Sequence, residues 1–139
     1  MKHAFKQKVF YSDTDAYGVV WHGSYLRWLE MGRVLFCEDE GLKLTELENN
    51  NVVLPVVELK INYKKSAKLD DNVVVITNVQ DYGRFYITFH QVITDESEKE
   101  TYIEATVKVV AIDKSGKLYR SLPEQILNVV KRNVQKKEV

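Results

Sequence analysis

The sequence predicts an α+β fold in which an antiparallel sheet of five or more strands wraps around one long central helix. Three observations carry this. A proline-free apolar stretch runs from Ser24 to Glu40, period-two segments crowd after it instead of alternating with further helices, and tight-turn residues separate those segments.

Residues 5–11 alternate as a first strand, and Ser12-Asp13-Thr14-Asp15-Ala16-Tyr17-Gly18 breaks the pattern with turn formers. The helix follows from Ser24 to Glu40, with Gly41 as its C-terminal stop. Tyr25, Leu26, Trp28, Leu29, Met31, Val34, Leu35, Phe36 and Cys37 cover most of its circumference, so it calls for cover on nearly every side. Residues 56–63 alternate strictly, and 64–72 form a polar turn. Strands follow at 73–81, 84–94 and 101–112, with hairpins at Tyr82-Gly83 and between Asp95 and Glu100. Phe85, Ile87, Phe89, Gln91 and Ile93 share one face of a strand, and Ile103, Ala105, Val107, Val109 and Ala111 share one face of the next. Asp113-Lys114-Ser115-Gly116 turns into a last strand piece. Leu122-Pro123-Glu124 then opens a terminal helix with a charged tail from Lys131 to Glu138.

With 139 residues and no repeat or linker, residues 1–139 read as a single domain. Twenty basic residues balance twenty acidic ones, so no global field points to nucleic acid. The longest apolar runs, such as 52–57, fall far short of a membrane span, and the first eight residues lack a signal-peptide core. One cysteine, Cys37, allows neither an internal disulfide nor a cysteine metal cluster. A cytoplasmic location is the expectation.

Chemistry concentrates between Tyr11 and Tyr25. There a carboxylate, Asp15, sits in a loop just before the start of the long helix. The first turn of a helix presents unpaired N–H groups and the positive end of the dipole, which suit a developing oxyanion. A carboxylate beside such donors can attack an acyl carbon or activate water. By spacing alone Asp15 reads first as a turn or capping residue, the commoner fate of aspartate in such a loop. Asp13 reads as structural. Glu30 is a rival carboxylate, explained more simply by Arg27 and Arg33 one turn away on either side. Cys37 reads as an inert buried thiol.

The segment resembles the signature of hotdog-fold acyl-CoA thioesterases of the 4-hydroxybenzoyl-CoA thioesterase type, in the branch associated with the Tol–Pal system. Tyr11, Asp13, Asp15, Gly18, Val19, Val20, Trp21, His22 and Tyr25 match its first motif. Glu30-x-x-Arg33, Lys68-Leu69-Asp70-Asp71 and Arg120-x-x-Pro123-Glu124 match further along. The resemblance implies the hotdog fold and hydrolysis of acyl-CoA or acyl carrier protein thioesters. It implies Asp15 as the catalytic carboxylate and the backbone N–H of His22 as the group that polarises the thioester carbonyl. Tyr17, Gly18, Val19, Trp21 and Tyr25 would then line the substrate, with Tyr17 standing where many relatives have glycine. Arg84, beside Gly83, matches a coenzyme A contact region, and Lys64, Lys65, Lys68 and Arg120 are further candidates for the phosphates. No metal and no bound cofactor are implied, and the working unit is a homodimer or a dimer-of-dimers homotetramer.

Overall fold

The computed structural model describes residues 3–134. Alternation becomes a five-stranded antiparallel sheet built from β1 (His3–Lys8), β2 (Val56–Tyr63), β3 (Asn72–Tyr82), β4 (Tyr86–Asp95) and β5 (Thr101–Val110), in the order β1-β3-β4-β5-β2. Three helices accompany it: α1 (His22–Asp39), α2 (Leu44–Asn49) and α3 (Glu124–Asn133). None of the described helices is long and apolar enough to cross a membrane.

The predicted faces of the inner strands hold. Ile87, Phe89, Gln91 and Ile93 are buried on β4, as are Ile103, Ala105, Val107 and Val109 on β5. Phe85 falls in the hairpin and stays exposed. Two apolar clusters fill the space between the sheet and α1. One gathers Val20, Tyr25, Trp28 and Leu29 with Val73, Val75, Ile93 and Ile103. The other gathers Phe36 and Cys37 with Phe89, Val107, Leu47 from α2 and Ile126 from α3.

α1 buries one face only. Leu26, Met31 and Leu35 remain more than a third exposed, so the sheet does not surround the helix as its all-round apolar sequence suggested. A sheet of one chain covers one side of a helix, and the opposite side is left to solvent or to a partner.

The approach of α1 to the sheet is set at Gly32. A methyl group there would lie 2.8 Å from Thr77 Oγ1 and 3.0 Å from both Gln91 Nε2 and Val75 Cγ1. The first of these distances requires something to shift. Gly32→Ala is therefore expected to destabilise the fold by about 2 kcal/mol despite the better helix propensity of alanine, read as a lower urea midpoint. An unchanged midpoint would show that the helix can ride outward at no cost.

Several boundaries differ from the sequence reading. The first strand ends at Lys8 because residues 11–13 form a 3-10 turn, closed by Asp13 N–H to the Phe10 carbonyl and by Thr14 N–H to the Tyr11 carbonyl. α1 starts at His22, two residues early. It ends as expected at Gly41, whose φ of +83° lets the Leu42 N–H reach the Cys37 carbonyl at 2.7 Å. α2 was not foreseen. It closes by the same device, with Asn51 at φ +67° and the Val52 N–H on the Leu47 carbonyl at 2.9 Å. β4 begins at Tyr86 and β5 ends at Val110, and the last strand piece amounts to a single bridge between Ile112 and Leu118. The charged tail beyond Val134 lies outside the described residues.

Candidate active site

Asp13 builds the entrance to the helix. Its carboxylate is 1% exposed and accepts the Phe10 N–H at 2.9 Å, with Arg27 on the other oxygen. Its carbonyl accepts the Trp21 N–H at 2.8 Å and the Ser24 hydroxyl at 3.0 Å. One residue thus joins the end of β1 to the start of α1. Asp13→Ala would strand the Phe10 N–H and free Arg27, which is itself mostly exposed. A loss of about 2 kcal/mol is expected, checked by thermal unfolding. A melting temperature equal to that of the unaltered protein would refute this role.

Between Asp13 and Trp21 the chain makes a tight turn. Asp15 N–H donates to the Val19 carbonyl at 2.9 Å, and Gly18 N–H donates to the Asp15 carbonyl at 3.1 Å. Gly18 has φ +80°, a value that side chains resist. Asp15 Oδ1 accepts the Tyr17 N–H at 2.8 Å, which sets its rotamer. The turn feature and the half-buried carboxylate therefore coexist in one residue.

α1 has no side-chain cap, because Trp21 occupies that position. Neither the His22 nor the Gly23 N–H has a protein acceptor among the described residues. These donors belong to the helix end that faces Asp15. A cleft of about 280 Å³ is lined by Asp15, Val20, His22, Tyr25, Tyr63, Lys64, Lys65 and Ser66. Burial raises the Tyr25 phenol above its ordinary pKa, so it stays protonated.

The far wall of the cleft is fastened through Ala67. Its N–H donates to Tyr25 Oη at 2.9 Å, and its carbonyl accepts the Val20 N–H at 2.9 Å. Val19 bridges to Lys68, and both Lys64 and Lys65 N–H groups donate to the Tyr102 carbonyl. Lys64 and Lys65 also pair with Glu104 and Glu100 at the surface. Such exposed pairs contribute little and exchange readily for another anion.

The structure thus brings Asp15, His22, Tyr25, Lys64 and Lys65 to one place. Trp21 lies beside them, its ring 5.1 Å from that of His22. Tyr17 is 90% exposed at the tip of the turn, and Val19 is half-buried against Lys68. Arg84 is not brought there. It sits in the β3–β4 turn, whereas the cleft adjoins the start of β3, roughly 30 Å away along the strand. Tyr63 and Ser66 were missed by the sequence reading. Tyr63 packs edge-on to Tyr25 at 5.9 Å, and its place at the end of an alternating strand was the available signal. Among the described residues, no group of three or more His, Cys, Asp or Glu side chains is placed to hold a metal ion.

The chain matches the thioesterase-like superfamily over residues 9–130. It is 35% identical over 109 residues to the putative acyl-CoA thioesterase YneP of Bacillus subtilis, covering 78% of each chain. It is 35% identical over 111 residues to the acyl-CoA thioesterase YbgC of Haemophilus influenzae, covering 79% of this chain and 80% of that one. A 1,4-dihydroxy-2-naphthoyl-CoA thioesterase from Synechocystis superposes with a TM-score of 0.85 at 19% identity, covering 94% of this chain and 96% of that one. The five-stranded antiparallel sheet with its helices is the hotdog fold. By the match across most of its length and by these relatives, the chain belongs to the thioesterase-like superfamily.

Proposed function

We propose that this protein hydrolyses acyl-CoA thioesters to the free acid and coenzyme A. The observation that carries the proposal is one cleft holding both the Asp15 carboxylate and the uncapped start of α1. In this reading the thioester oxygen accepts the His22 N–H, where the helix dipole favours negative charge. Asp15 then acts in one of two ways. As a general base it takes a proton from water, whose oxygen bonds to the carbonyl carbon as the C–S bond breaks. The proton passes to the departing thiolate. As a nucleophile its oxygen bonds to the carbonyl carbon as the C–S bond breaks and coenzyme A leaves as thiolate, giving a mixed anhydride that water then cleaves, with a proton from that water passing to the thiolate. Neither route calls for a metal or a bound cofactor.

Lys64 and Lys65 are the cations nearest the cleft for the phosphates of coenzyme A, or for the phosphopantetheine of an acyl carrier protein. A second copy is part of the reading. β2 is an edge strand with Val56, Val57, Leu59 and Tyr63 largely exposed, the kind of edge that another chain covers. Pairing through β2 gives a homodimer, and the exposed face of α1 offers contact for a tetramer. A cytoplasmic location fits these substrates.

A panel of acyl-CoAs with a thiol-reactive dye tests the proposal. Release of coenzyme A with multiple turnovers is the expected result. Hydration of an enoyl-CoA without thiol release would favour a hydratase of the same fold, and tight binding without turnover a binding module. Either would overturn it.

A further inference from the structure

A second cavity, built differently, lies away from the Asp15 cleft. It measures about 200 Å³ and opens between α1, α2 and the start of β2. Leu44, Leu54, Val56, Phe89 and Val109 make its wall apolar, except where α1 contributes Glu30 and Arg33. Glu30 is exposed, whereas Arg33 is half-buried. Arg33 Nη1 donates to Gln91 Oε1 at 3.0 Å, the one hydrogen bond its guanidinium makes among the described residues. No carboxylate of those residues comes within 4.0 Å of it. Glu30 acts on it only at longer range.

Gln91 is itself immobilised. It is fully buried, and its Nε2 donates to the Leu29 carbonyl and to Thr77 Oγ1, each at 2.9 Å. A neutral amide therefore fixes the direction of Arg33 without cancelling its charge. Half-buried and with no carboxylate in contact, the guanidinium keeps its charge beside the cavity, where only partial access to solvent offsets it. A guanidinium carries five N–H donors, so most of its donors remain free beside an apolar cavity.

We propose that this cavity receives the far end of the acyl group, and that Arg33 selects acyl groups bearing an oxygen acceptor there. This rests on the thioesterase reading above. β2 connects the two sites, since Tyr63 at its end lines the Asp15 cleft and Val56 at its start lines the cavity. A two-fold pairing centred on the middle of β2 sets Val56 of one copy against Tyr63 of the other. The cleft of one copy then adjoins the cavity of the second. Within one chain about 16 Å of helix separates His22 from Arg33, a span only a long acyl chain bridges.

The test compares hexanoyl-CoA, 6-hydroxyhexanoyl-CoA and adipoyl-CoA, which differ only at the far end. The unaltered protein is expected to favour one or both oxygenated thioesters in kcat/KM by about tenfold or more. In Arg33→Met that preference, read as the kcat/KM ratio to hexanoyl-CoA in the same variant, is expected to fall to about one, and Arg33→Lys, which retains a cation, keeps part of it. Preference for adipoyl-CoA alone identifies a carboxylate ligand, and preference for both identifies any accepting oxygen. Equal rates on all three in the unaltered protein, or an equal loss on all three in Arg33→Met, would overturn the proposal. Cys37 supplies a readout with turnover suppressed, in the Asp15→Asn background. It lies in the same wall, and burial pushes its thiol up to about 11, so methyl methanethiosulfonate modifies it slowly. Occupancy should slow this further for the oxygenated thioesters, and Arg33→Met should abolish the difference. If no thioester releases thiol, the hydrolase reading fails. The protection pattern still decides the cavity, and equal or absent protection would overturn it.

Discussion

Asp15→Asn is expected to lower kcat for thiol release by about 10²–10⁴-fold, the usual contribution of a positioned base or nucleophile. The substitution is conservative in shape. Asparagine keeps an oxygen that accepts the Tyr17 N–H, so the turn through Gly18 should survive. It removes only the negative charge and the basicity. KM should change much less than kcat, because the proposed reading holds the phosphates and acyl group elsewhere, and the melting temperature should hold. Thiol release at the original rate would sink the assignment, whatever the reason for the cleft. A large fall in melting temperature would mean that the turn, and not the chemistry, had been lost.

The largest expected stability effect is at Gln91. Gln91→Ala should cost about 3 kcal/mol, combining a cavity with the loss of buried hydrogen bonds. Its amide holds the Leu29 carbonyl of α1, Thr77 of β3 and the guanidinium of Arg33, again on α1, so α1 and β3 lose a shared partner at once. Gln91→Leu restores volume but not polarity and should recover only part of the loss. Urea unfolding of both variants measures this. Equal stability of Gln91→Ala and the unaltered protein would show that the network adds nothing beyond packing.

Much of the fold was legible because its signals are local. β2 matches the reading at both ends, since strict alternation is bounded by Pro55 on one side and Lys64-Lys65 on the other. Gly41 marked the end of α1 because the left-handed conformation selects glycine. The start of α1 was hidden. Trp21 takes the cap position, and Ser24, where the apolar stretch begins in the sequence, lies inside the first turn and donates to the Asp13 carbonyl. α2 is six residues long, too short for a periodic pattern to stand out.

At the site, Asp15 and His22 were legible because they are close in sequence and in space. Lys64 and Lys65 reached the cleft by a contact across the chain that charge alone does not forecast. Arg84 shows the converse. Sequence places it beside a glycine turn but does not say which end of the sheet that turn occupies. The outer side of α1 misled for another reason: apolar residues there look alike whether the cover comes from the same chain or another.

The fastening of Ala67 has a consequence for motion. Its two backbone groups clasp the helix entrance and the β2–β3 connection to each other, so the cleft has no jaw that can swing alone. Opening one side releases the other, and the Val20 and Ala67 amides should exchange with solvent deuterium in a single cooperative step. The rim of the cleft is therefore of fixed width, and adaptability near it is left to exposed side chains of the same loop, Tyr17 and Trp21 foremost.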